Sequence, residues 1–242
     1  MKSIQPTSAF ADDDGSADLE LTALLAGHAE GRTPLRAVVA RLAQTRVLVP
    51  VLAELGAEET TADGLQVDKE ASTGIVALES PDGRRALPVF TSVASMTAWR
   101  ADARPVPVDV PRAALSAVNE DWSLLVVDPA GPVTVLVPRP AVWALAQGKE
   151  WRPALVGGPD EITVDPEVAS AVAIAAAPVQ HVVRAHAEPG RKAEVAVVLA
   201  LDPGLDRPGL DAVLAQVNSR LGASDVISER VDSLELRIGA AR

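Results

Sequence analysis

The chain carries three histidines, His28, His181 and His186, and no cysteine, which narrows the chemistry open to it before any fold is considered. Without a thiol there is no disulfide, thiolate zinc site, iron–sulfur cluster or cysteine nucleophile. His181 and His186 fall on one predicted strand. An odd separation on a period-two element sends them to opposite faces, so a regular strand cannot bring both imidazoles to one metal. Neither has a carboxylate three or four residues further on, the spacing a helical metal pair would use. Both are expected as solvated or hydrogen-bonded side chains.

No Gly-x-Ser-x-Gly elbow, Walker loop or Gly-x-Gly-x-x-Gly occurs. Gly157-Gly158-Pro159 lacks the proline N–H that a phosphate cradle would use. Asp128-Pro129-Ala130-Gly131 matches a short Asp-x-x-Gly nucleotide signature but has no Walker loop upstream, so it reads as a hairpin turn. Glu58-Glu59 sits in an apparent loop with no apolar flank to raise a pKa. The sequence therefore nominates no catalytic residue, no cofactor-binding residue, no metal ligand and no cofactor.

Charge and aromatic content restrict partners. The net charge is −11, from 33 acidic and 22 basic side chains, and there is no Tyr and only two Phe. Such a surface repels a phosphate backbone unless its cations converge on one face, and Arg84-Arg85 and Arg191-Lys192 are the only adjacent basic pairs. Nucleic acid is not an expected partner. The start of the chain has one Lys and no apolar run before Asp12-Asp13-Asp14, unlike a secretory signal. The longest candidate span, Val168 to Val179, falls well short of the ~20 apolar residues a membrane requires. No membrane partner and a cytoplasmic location are expected.

The elements that must position any site follow from periodicity. Residues 1–32 read as an acidic tail, mobile to about Asp18, followed by a short helix. Residues 33–149 read as an α+β domain, 150–164 as a linker rich in Gly and Pro, and 165–242 as a second α+β domain. A helix begins at Thr33-Pro34, with Leu35, Val38, Val39 and Leu42 on one stripe, and Arg46 to Leu52 follows as a strand. The acidic stretch 53–72 reads as a long loop with a short strand near Leu65 to Val67.

Two hairpins, turning at Ser80-Pro81-Asp82-Gly83 and at Asp128-Pro129-Ala130-Gly131, are each followed by a helix, a weak internal repeat. Leu115 and Val118 are expected on the apolar side of a helix opened by Pro111. In the second domain, helices open at Asp165-Pro166 and Pro208, and Asp225 to Arg230 and Ser233 to Ile238 read as closing strands. The expected fold class is α+β, with two domains, each a mainly antiparallel sheet with helices packed on one face.

The string Leu87-Pro88-Val89-Phe90-Thr91-Ser92, preceded by a Pro-Asp-Gly turn and followed by a short helix ending near Trp99, resembles the N-terminal domain of the SseB family, named for enhanced serine sensitivity. The resemblance covers roughly Thr33 to Gly148, and Asp165 to Ile238 is similar in element order to the family's C-terminal domain. It implies a two-domain cytoplasmic bacterial protein and carries no catalytic residue across. The expected role is a non-enzymatic protein-binding or regulatory adaptor, engaging another protein through open sheet edges or the acidic loop 53–72. The alternative is a small-molecule-binding module, or an enzyme, with its site in the cleft between the domains. The sequence sets no oligomeric state.

Overall fold

In the computed structural model, which describes residues 10, 12–52, 59–60, 66–68, 76–80, 82–158 and 161–241, Asp18 caps the first helix, α1 (Leu19–Ala29), by accepting the Leu21 N–H at 2.8 Å. The same carboxylate binds the guanidinium of Arg41 through Nε and Nη2. Asp13 binds Arg46, which also donates to the carbonyls of Ser16 and Thr91. The mobile acidic tail expected up to Asp18 is thus corrected for residues 12–18. Arginine forks claim carboxylates that composition alone reads as solvated.

After α1 come α2 (Leu35–Leu42), β1 (Arg46–Val51), β2 (Glu59–Thr60), β3 (Gln66–Asp68), β4 (Ala77–Glu79), β5 (Arg85–Val89), α3 (Val93–Trp99), β6 (Arg104–Asp109), α4 (Val110–Asn119), β7 (Leu124–Val127), β8 (Val135–Val137) and α5 (Arg139–Ala146). They belong to the first of two units into which the chain divides, Met1–Trp151 and Arg152–Arg242. Six strands form one sheet in the order β2-β3-β4-β5-β7-β8, antiparallel except for the parallel pair β5 and β7. The acidic stretch 53–72 therefore contributes two short strands to this sheet, and the rest of that stretch lies outside the described residues.

β1 and β6 make a separate antiparallel ribbon in which Pro50 faces Pro105, where two residues unable to donate are tolerated because no third strand needs them. Leu48 and Phe90 bridge the ribbon to the end of β5 through reciprocal N–H to carbonyl bonds of 2.8 and 2.9 Å.

Alternation along the central strands buries both faces of the large sheet. Leu87, Val89, Leu125 and Val127 meet Leu21, Val38, Ala113 and Val142 from the helices. Ala86, Leu124 and Val126 point the other way, toward Leu52 and Trp99. Phe90, Leu48 and Met96 form a small cluster beside them, with the Phe90 and Trp99 rings 5.2 Å apart. In α4 the buried side is Ala113, Ala114 and Ala117, whereas Leu115 is 47% exposed. Val118 packs against the core as expected, whereas Leu115 is corrected to an exposed position because small side chains form most of the packed face of α4.

The second unit contains β9 (Leu155–Gly158), β10 (Glu161–Val164), α6 (Pro166–Ala176), β11 (Val182–Pro189), β12 (Val195–Leu201), α7 (Arg207–Gly222), α8 (Asp225–Arg230) and β13 (Leu234–Ala240). The stretch 150–164, expected as a linker, instead holds the antiparallel hairpin of β9 and β10. Gly157 is required there: its φ is +116°, and a Cβ would lie 2.1 Å from the Glu161 carbonyl oxygen. Residues 225–230, expected as a strand, form α8. Ile227, Arg230 and Val231 are buried at i, i+3, i+4 spacing, so helical burial outweighs the β propensity of Val and Ile.

The sheet of this unit runs β11-β12-β13, with β11 antiparallel and β13 parallel to β12. Its core sets Val197, Leu199 and Leu201 against Val172, Val213 and Leu221. The α+β class stands.

Candidate functional site

The hairpin turn singled out for its Asp-x-x-Gly pattern holds the one buried carboxylate among the described residues. Asp128 is 7% exposed and follows β7 with φ +48°, and Ala130 also adopts a positive φ. Its Oδ1 accepts the Thr91 N–H at 2.9 Å and its Oδ2 the Thr91 hydroxyl at 2.7 Å. Burial pushes its carboxyl above the usual range, against bonds from Thr91 and Ser95 that favour the anion. The two carboxyl ends of the parallel pair are thereby tied together. In open parallel sheets a ligand often occupies that position, but here the carboxylate is committed to Thr91. The Asp-Pro-Ala-Gly sequence thus performs turn and anchoring chemistry.

A second buried polar centre lies in the C-terminal unit. Arg230, 7% exposed, donates from Nε to the Arg152 carbonyl, from Nη2 to the Pro153 carbonyl, and from Nη1 to Asp165 and Glu167. Asp165 also caps α6 by accepting the Glu167 N–H. The Arg230 guanidinium holds the Asp165 carboxyl below the usual range. These bonds fasten α8 to the chain entering the unit and to the start of α6. Nothing in the helical spacing of Arg230 announces its four partners.

The histidines are dispersed. His28 Nδ1 donates to the Thr33 carbonyl, His181 Nδ1 bonds Asp202, and His186 Nε2 bonds Glu188. His181 lies just before β11 with φ +70°, outside the strand on which it was placed from sequence. No group of three His, Asp or Glu side chains capable of holding a metal occurs among the described residues, and no helix of those residues is long and apolar enough to cross a membrane.

Two features could receive a partner or ligand, and periodicity alone did not locate either. One is a cavity of about 370 Å³ in the N-terminal unit, with Val39, Leu145 and Trp151 on its apolar side and Arg36 and Lys149 at its polar side. The indole N–H of Trp151 is buried and has no acceptor among the described residues. The other is one edge strand of each of the two larger sheets, β8 and β13, which has no further strand beside it among the described residues. Leu136 of β8 is 46% exposed, as is Trp143 on the following helix α5.

The fold and these features define an α+β protein with open sheet edges. The chain belongs to the SseB family: the model of the SseB protein N-terminal domain matches residues 21–144, just over half of its length. No curated protein and no solved structure gives a significant match.

Proposed function

We propose that this SseB-family chain is a non-enzymatic, cytoplasmic protein-binding or regulatory adaptor, with the C-terminal unit as the family's second domain. The observation that carries the reading is the outer edge of the six-stranded sheet. β8 ends the sheet, Leu136 stands exposed along it, and the exposed Trp143 follows within α5. An open edge offers main-chain groups to an incoming strand, and Trp is among the residue types enriched at interface anchors. The test is affinity purification of the full chain from its native cell, comparing wild type with Leu136→Lys and Trp143→Ala. A stoichiometric partner held by wild type and lost from both variants supports the adaptor. Retention by both, or no stoichiometric partner at all, refutes it.

A second reading, small-molecule binding, is favoured by the Trp151 cavity. Its volume falls within the ~300–1,000 Å³ of ligand sites. Arg36 and Lys149, with Glu150 as the one acidic side chain beside them, leave a net positive rim on an apolar wall that suits a compact apolar anion. A thermal-shift screen of carboxylates checks this: a several-degree rise with one class, abolished by Arg36→Ala, supports it, and no shift across the screen removes it.

A further inference from the structure

The edge strand of the C-terminal unit has a sequence that is complementary to itself. β13 pairs with β12 in parallel, Val195 beside Leu234 through Leu201 beside Ala240. The Val195 N–H donates to the Ser233 carbonyl and the Ala241 N–H to the Leu201 carbonyl. In a parallel ladder this places the odd-numbered residues of β13 on the β12 side and turns the N–H and C=O groups of Leu234, Leu236 and Ile238 outward. Leu234 and Ile238 are 37% and 47% exposed. The strand is seven residues long and contains neither Pro nor Lys, two of the devices by which natural proteins blunt an open edge.

We propose that β13 pairs antiparallel with β13 of a second copy about a two-fold axis at Leu236, joining two three-stranded sheets into one of six strands. In that register Leu236 faces its own counterpart, Leu234 faces Ile238 of the second copy, and Glu235 faces Arg237 of the second copy. All outward N–H and C=O groups then meet outward groups. The Glu235 and Arg237 pairs fall at non-hydrogen-bonded positions, where opposing side chains lie closest.

Neighbouring registers are penalised. A slip of one residue sets outward backbone groups against inward ones and turns apolar side chains to the polar face. Moving the axis to Glu235 or to Arg237 opposes two like charges, which is destabilising. Within one copy Glu235 accepts the N–H groups of Arg191 and Lys192 and the Nε of Arg237, so the charges facing each other across the two-fold extend a pairing that each strand already holds. Such an isologous contact closes after two copies. This contact uses a different edge from the adaptor reading, so either can fail without the other.

The test uses the full chain. Sedimentation equilibrium should give a dimer, shifted toward monomer at least tenfold by Ile238→Lys, a change at an exposed position that leaves the fold intact by circular dichroism. Because the chain has no cysteine, single substitutions to cysteine read the register. Opposed Cα atoms of a hydrogen-bonded pair lie ~5.5 Å apart, within disulfide range. Leu234→Cys and Ile238→Cys should each form no covalent dimer under mild oxidation when alone and form a covalent heterodimer when mixed. A wild-type monomer at ~100 µM, above the ~10⁻⁶ M constants of ordinary specific interfaces, overturns the proposal. So does a dimer indifferent to Ile238→Lys, or crosslinking of Leu234→Cys with itself.

Discussion

The Thr91 hydroxyl donates to Asp128 Oδ2 at 2.7 Å, joining the residue two past the end of β5 to the one that follows β7. Ser92, next to Thr91, caps α3 by accepting the Ser95 N–H at 3.0 Å. One carboxylate therefore fixes the parallel strand pair and the entry into the helix that carries Met96 and Trp99.

Replacing Asp128 separates its hydrogen bonds from its charge. Burial raises its folded pKa, so the folded chain holds this proton to higher pH than the unfolded chain does. Between the unfolded value near 4 and the raised folded value, stability from this group falls as pH rises. Asp128→Asn keeps an acceptor for the Thr91 N–H and tolerates the positive φ. Urea melts from pH 4 to 7 should show the variant gaining on wild type as pH increases. Asp128→Ala should lose ~1–3 kcal/mol, the cost of stranding buried donors. Equal pH slopes for wild type and Asp128→Asn would refute the argument.

Arg230 gives the opposite sign. Asp165 is depressed by its bond to Arg230, so its contribution is in place above the unfolded value near 4 and is lost as pH falls through the lower folded value. Arg230→Met leaves Asp165 and two carbonyls without their partner and should cost ~3–5 kcal/mol. All four Trp lie at or before Trp151, so fluorescence reports the N-terminal unit. The variant should lower the circular-dichroism transition of the C-terminal unit while leaving the fluorescence transition in place. A fluorescence shift of equal size contradicts this assignment.

Phe90 is fully buried between Leu48 and Met96, with Trp99 against its ring. Truncation to Ala should cost ~3–5 kcal/mol, read as an earlier urea midpoint in Trp fluorescence. A loss below ~1 kcal/mol, less than a buried aromatic side chain is worth, would show that the cluster collapses around the gap.

The C-terminal unit should fold alone only when its hairpin is included. Ala154 lies in its core with Leu155 and Val164 packed against it, and Arg230 bonds the carbonyls of Arg152 and Pro153. A fragment of residues 152–242 is expected to unfold cooperatively, and one of residues 165–242 to be markedly less stable. Comparable melts would place the hairpin outside the folding unit.

Nucleic-acid affinity should stay at or below the nonspecific range, about 10⁻⁴–10⁻⁶ M. Of the arginines clustered in sequence, Arg84 pairs with Asp82 and Arg100 with Asp102, as Arg41 and Arg46 do with Asp18 and Asp13. Those cations already have carboxylate partners. Binding to mixed RNA and DNA tighter than ~10⁻⁶ M, lost in Arg84→Glu, would contradict the prediction.

The order of elements was legible where apolar spacing and local stop signals agree. The stripe of Val213, Val217 and Leu221 ended at Gly222, Asp165-Pro166 opened α6, and the turn holding Asp82 and Gly83 joined β4 to β5. Misreadings arose where distant contacts decide. Gly157-Gly158 looked like a linker until pairing with β10 explained its φ, and Val226-Ile227 looked like a strand until Arg230 fixed a helix. The anchoring role of Asp128 depends on Thr91, far away in the chain, and no local pattern marks such a pair. The Trp151 cavity draws on α2, α5 and the segment after it, so it exists only once the fold does.

The parallel placement of β13 beside β12 also bears on how the chain leaves the ribosome. β12, VAVVLAL, is synthesised well before the strand that covers its second edge, because α7 and α8 intervene. At ~5–20 residues per second, that edge waits about 2–7 seconds with only β11 for company. A continuous β-branched and aliphatic stretch without charge is the kind of segment that associates between nascent chains. Order of synthesis thus leaves the most association-prone strand of the C-terminal unit half covered until the last strand arrives.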